Sequence, residues 1–239
     1  MLPILVSQQS AGIMRTTLKP AMCRLPLLAL LGVVLALTGC AQGRDGKRAE
    51  TSVTGPIKVN LDLKDPSMSF GVLPRGEDRL VFKVGSGRHG VTCAGSRFEE
   101  GYTPLGTFKV NAILSNGRFV MDPKLIAESG QSEAALKQTL FPSMNAIDFD
   151  GDGETGEYGI GYISLAPVAS VKQPFGFNRY AGKFRWYSFA IHGSNNDKRI
   201  GQKVTGGCLN VAEPELKTLL GAVRLGDEVH ITANGPCTP

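Results

Sequence analysis

Cysteine is scarce in this chain of 239 residues, five in all, and Cys208 stands behind two glycines in VTGGCLNV (204–211). A cysteine buried only as a small hydrophobe needs no such setting. A nucleophile does, because glycines let the backbone turn sharply and bring consecutive N–H groups toward a developing negative charge. A nucleophilic thiol also needs a base that favours the thiolate. The chain offers three histidines. His230 alternates with Val229 and Ile231 and reads as a strand residue, whereas His89 sits in the Gly-rich connection GSGRHGVTC (85–93) and could line a site. His192 differs from both: it closes the apolar-aromatic run WYSFAIHG (186–193), so its ring is expected at a strand end, where functional groups are commonly placed.

The elements that must position these groups have mostly a period of two. IKVNLDL (57–63), RLVFKVG (79–85), GTFKVNAIL (106–114), GRFVMD (117–122), YISLA (162–166), FRWYSFAIH (184–192) and DEVHITAN (227–234) read as strands bounded by Gly, Pro or Asn. Helical signals are few. SEAALKQTL (132–140) follows an N-cap candidate at Ser132, and AEPELKTLLGAV (212–223) carries a proline in its first turn with Leu216, Leu219, Leu220 and Val223 on one face. The fold class is therefore mainly β, a sandwich or a partly closed barrel with one or two packed helices. In the loop DFDGDGETGE (148–157), Asp148, Asp150 and Asp152 alternate like the opening of an EF-hand calcium loop. Gly159 stands where the bidentate Glu belongs and no helical pattern flanks the loop, so a solvated acidic turn is the preferred reading and calcium the alternative.

The first residues read as an address. Leu25 to Leu37 is an apolar run of 13 residues behind basic ones, the length of a signal-peptide core and too short to span a bilayer. It leads into LTGC, where Thr38, Gly39 and Cys40 resemble the lipobox of bacterial lipoproteins; Ala41 after the cysteine resembles those sorted to an outer membrane. The resemblance implies cleavage before Cys40, lipidation of its thiol and an exported, periplasmic, lipid-anchored protein. Three regions follow: a signal peptide over 1–39, a polar lipid-anchored tether over 40–56 and one folded domain over 57–239. The net charge of +5 falls to +2 without Arg15, Lys19 and Arg24, which precede residue 40 where no acidic residue occurs. That balance, with no interleaved basic and aromatic stripe, excludes a nucleic-acid footprint. In an oxidising compartment Cys93 and Cys237 are either a bridge tying the tail to the body or two free thiols.

Taken together, IHGSNNDKRIGQKVTGGCLNV (191–211) resembles the signature of the L,D-transpeptidase (YkuD-like) catalytic domain family: H-G-T, a loop with Ile-Gly, then S-x-G-C, an apolar residue and Arg or Asn. YTPLGTFKV (102–110) is similar to the family's upstream T-P-x-G-x-F segment, with a Gly-rich lead in VGSGRHG (84–90). The resemblance covers roughly residues 57–233. It implies that Cys208 is the nucleophile and His192 its base, oriented by a main-chain carbonyl, so that Asp197 need not serve. Backbone N–H groups along Gly206, Gly207 and Cys208 would meet the oxyanion, and Gly193, Ser194, Thr205 and Asn210 would position the loop or touch substrate.

The implied reaction is attack on a peptidoglycan stem tetrapeptide, loss of the terminal D-Ala, and transfer of the acyl group to an amine to give a 3–3 cross-link. No cofactor or metal is needed, and a monomer is expected. Gly206 departs from the His of many relatives, and the interval between the two motifs is long enough for a lid walled by Tyr180, Trp186 or Tyr187, although core packing is the default for each ring. Three alternatives stand beside this reading: an L,D-carboxypeptidase or hydrolase at the same site, a non-catalytic peptidoglycan-binding lipoprotein, and a β-sandwich in which Cys208 is a structural disulfide partner.

Overall fold

Strict alternation in IKVNL makes strand β1 (Ile57–Leu61), which buries Ile57, Val59 and Leu61 and turns Lys58 and Asn60 outward. The computed structural model describes residues 52–239, so the export segment, Cys40 and the tether up to residue 51 lie outside the described residues. After β1 the chain forms the hairpin β2 (Phe70–Arg75) and β3 (Asp78–Lys83), then three short strands, β4 (Ser86–Gly87), β5 (Gly90–Thr92) and β6 (Tyr102–Pro104). The nine-residue β7 (Gly106–Leu114) pairs with β8 (Phe119–Met121) and β9 (Tyr162–Pro167). Next come a separate hairpin, β10 (Gly176–Tyr180) and β11 (Lys183–Tyr187), then β12 (Phe189–His192), β13 (Lys203–Thr205), β14 (Leu209–Asn210) and β15 (Glu228–Ala233).

The main sheet runs β14-β12-β9-β7-β15-β1-β2-β3, with β8 on β7. Gly85, two residues past β3, exchanges backbone bonds of 2.9 and 3.2 Å with Asn210 of β14. The two ends of the path are thereby tied, which makes a partly closed barrel of the two expected architectures. A bulge in β7 between Val110 and Ala112 reverses which face successive residues take. Phe108, Val110 and Ile113 consequently belong to one apolar cluster, and Ala112 and Leu114 to another. The first cluster also takes Leu216, Leu219 and Leu220 from the helix over Glu213–Ala222.

The insertion between the two motifs supplies the second cluster. Asp122 caps a short helix over Pro123–Glu128, and Ser132 accepts from the Ala135 N–H at 3.2 Å to start the longer helix over Glu133–Asn145. Leu136, Leu140, Phe141 and Met144 from the longer helix pack against Trp186 and Tyr162. Trp186 is thus core, while Tyr180 and Tyr187 line a cavity. The run 184–192 is two strands rather than the single one expected, broken at Ser188. Cys93 and Cys237 are bonded, with Cα atoms 4.9 Å apart, which closes the choice left open by the sequence. Cys208 is free, which removes its reading as a structural disulfide partner.

Candidate active site

His192 is the last residue of β12, and the parallel pairing of β14 sets Leu209 against Ile191 and Asn210 against His192. Cys208, one residue before β14, therefore falls beside Ala190, whose N–H is directed at the sulfur. The half-buried thiol touches both apolar clusters. Cys208 and His192 line one cavity of about 460 Å³ together with Ser188, Ser194, Thr205, Gly206 and Asn210. A second cavity of about 270 Å³ shares only Phe98 with it and is lined by no titratable side chain.

The imidazole is held on several sides. Its Nδ1 lies 2.7 Å from the Gly193 carbonyl, which accepts a hydrogen bond from it and so assigns the remaining lone pair to Nε2. Tyr162 stacks on the ring at 6.1 Å with an interplanar angle of 11°, and Tyr158 meets it edge-on at 5.0 Å. Burial depresses the imidazole to about 4 against the pull of the Gly193 carbonyl, and the Arg199 charge adds to the depression. For Cys208, burial pushes the thiol up to about 12, the Ala190 N–H opposes the rise and the Glu100 carboxylate adds to it. At neutral pH the free site therefore holds a thiol and a neutral imidazole, not an ion pair.

Beneath the sulfur runs a buried polar chain. The Ser188 carbonyl accepts from the Tyr162 hydroxyl at 2.8 Å and faces Cys208 Sγ at 3.8 Å. Ser188 Oγ meets Ser164 Oγ at 2.7 Å, and Ser164 accepts from Trp186 Nε1 at 2.8 Å. This explains the break in the apolar run at residue 188: its polar groups are used inward, where an unpaired one would be costly.

The turn that carries Cys208 is fixed by two threonines. Thr205 Oγ1 donates to the Cys208 carbonyl at 2.6 Å and accepts the Gly207 N–H at 3.1 Å. Gly207, expected to offer that N–H to the oxyanion, has it engaged in this loop and does not line the cavity. Its φ of 131° and a Cβ position 2.6 Å from the Tyr102 carbonyl leave room for glycine alone. Thr103, the threonine of the upstream motif, donates to the Gly207 carbonyl at 2.8 Å and accepts the Gly87 N–H at 2.9 Å. Its residue type was visible in the motif, but its partner was not. Asn210 is buried with Oδ1 unpartnered, Gly193 donates to the Tyr158 carbonyl at 2.9 Å, and Ser194 Oγ donates to the Asn196 carbonyl at 3.0 Å.

The remaining candidates lie apart or are otherwise occupied. His89 is exposed and packs on Tyr102, His230 pairs with Glu228 at 3.2 Å, and Asp197 is exposed in a short helical turn. Asp148 accepts from the Gly151 and Gly153 N–H groups, Asp150 pairs with Arg199 at 2.6 Å, and Asp152 accepts from the Glu154 N–H. The three aspartates form no metal-binding group among the described residues. Arg199 also lies 3.8 Å from Glu157, so this acidic segment is tied to the loop between His192 and Cys208. Tyr158, Ser188, Arg199 and Glu100 had no signal in the sequence pattern.

The family model for the L,D-transpeptidase catalytic domain, YkuD, matches residues 58–231. No curated protein matches the chain. An L,D-transpeptidase from Mycobacterium smegmatis is similar at 14% identity and a TM-score of 0.36, covering 74% of this chain and 58% of that one. An L,D-transpeptidase from Mycobacterium tuberculosis H37Rv follows at 12% and 0.38, covering 74% and 57%. One from Xylanimonas cellulosilytica stands at 13% and 0.32, covering 74% and 61%. This chain thus spans less than two thirds of the length of those solved chains. Because the matched residues, 58–231, are well over half of the sequence and contain both the upstream Thr103 segment and the Cys208 turn, the chain belongs to the L,D-transpeptidase catalytic domain family.

Proposed function

We propose that this protein is an exported, lipid-anchored L,D-transpeptidase that acts on peptidoglycan stem tetrapeptides. The observation that carries the reading is the shared cavity: a half-buried thiol and a buried imidazole whose Nδ1–H is fixed on a carbonyl line the same space. Cys208 attacks the carbonyl of the L-centred third residue while His192 Nε2 takes the thiol proton, and the D-Ala leaves with that proton on its amine. The product is a thioester. The Cys208 N–H meets the oxyanion, since the Gly207 N–H is held by Thr205. An amine from a second stem then takes the acyl group, giving the 3–3 cross-link. Export rests on the apolar run 25–37 and on LTGC, with Cys40 as the lipidated residue at the outer membrane. The Cys93–Cys237 bond supports an oxidising compartment.

Incubating the protein and its Cys208→Ala form with tetrapeptide muropeptides, followed by mass spectrometry of the products, tests this. Dimers lacking one D-Ala, formed by the wild type and not by the variant, are expected. Tripeptides alone make it a carboxypeptidase, and unchanged substrate that is nonetheless bound makes it a wall-binding module.

A further inference from the structure

Residue 206 has no side chain, and its place is taken by another. A Cβ built on Gly206 would stand 2.3 Å from Glu100 Oε1, so any larger residue there has to displace the carboxylate. The position is built: the Gly101 N–H donates to the Gly206 carbonyl at 2.7 Å and the Arg88 N–H to the Thr205 carbonyl at 3.0 Å, which ties the segment bearing Glu100 to the Cys208 turn. Glu100 and Gly206 line the same cavity as Cys208. The ion-pair partner of Glu100, Arg88, is 3.5 Å away with both side chains about half exposed, so the pairing is weak and leaves the carboxylate open to a ligand. The Glu100 charge adds to the rise that burial imposes on the Cys208 thiol, so it hinders rather than helps the first half-reaction. Its benefit is to be sought where a cation arrives.

We propose that Glu100, seated in the space a residue-206 side chain would occupy, binds the cationic amine that accepts the acyl group from Cys208. This rests on the transfer reading above. The amine enters as an ammonium held by the carboxylate. It releases one proton to water, its nitrogen forms the N–C bond, and the C–S bond breaks. The second proton passes through His192 to the departing sulfur and restores the thiol.

The test uses the full chain and its Glu100→Gln form, loaded with a tetrapeptide donor and offered either ethylenediamine, which is cationic, or hydroxylamine, which is neutral. The expected result is a KM for ethylenediamine raised roughly 3- to 10-fold in the variant, a KM for hydroxylamine that does not move and a faster acylation step. Added salt should raise the ethylenediamine KM of the wild type and leave that of the variant flat. Acylation in both proteins with the same KM for both amines overturns the role of Glu100 alone. Absence of any acyl-enzyme in the wild type overturns the transfer reading and this assignment with it.

Discussion

Buried against the rings of Tyr158 and Tyr162, the His192 imidazole keeps its lone pair at neutral pH, and the thiol it would serve keeps its proton. With burial pushing the thiol up to about 12, thiolate is scarce at pH 7. On the proposed function, activation would then belong to the step in which substrate is attacked, not to a standing ion pair. The sign for free Cys208 follows: alkylation by iodoacetamide should keep rising about tenfold per pH unit from pH 6 to 10 without levelling off. A plateau below pH 9 would contradict the neutral pair. At this scale Cys208 and His192 were legible, because a glycine-flanked cysteine and a strand-end histidine are unusual placements. Thr103 was half legible, as a motif residue without a partner. Glu100 was not, since an exposed glutamate in a loop acquires meaning only when the chain folds it over Gly206.

Among the elements, the expected strands at 57–63, 106–114, 162–166 and 227–234 fall within a residue or two of β1, β7, β9 and β15: alternation marks β1 and β15, whereas β9 is buried on both faces and shows as a short apolar run. The bulge in β7 was hidden, since the run GTFKVNAIL carries no residue that marks where the faces exchange. Missed altogether was β2, whose Gly71 and Pro74 read as breakers although the strand lies between β1 and β3. The insertion helix over Glu133–Asn145 runs past the expected end at 140, straight through Pro142, because Phe141 and Met144 are buried on its packed face. Leu140, fully buried in that face, is a direct probe. Leu140→Ala should lower the urea midpoint by an amount worth about 2–5 kcal/mol with an unchanged m value. A loss below about 1 kcal/mol would mean that this helix does not form the second core.

Across the whole described domain, several separate ties close the fold. The Gly85–Asn210 bridge closes the sheet beside β14, and the Arg199 pairs draw the acidic segment toward the loop from His192 to Cys208. The Cys93–Cys237 bond joins residues 144 positions apart and pins the tail, where the Cys93 N–H donates to the Thr238 carbonyl at 2.7 Å. None of these long-range closures has a local signature, so the barrel was legible only as one of two architectures. The account as a whole stands on Cys208 acting as a nucleophile with His192 as its base. Intact-mass analysis of the full chain, quenched during turnover of a tetrapeptide donor, is the most direct check. It should find one added tripeptide acyl group that maps to Cys208, is absent from Cys208→Ala and forms roughly 100- to 10,000-fold more slowly in His192→Ala. No adduct, or an adduct on another residue, would contradict it.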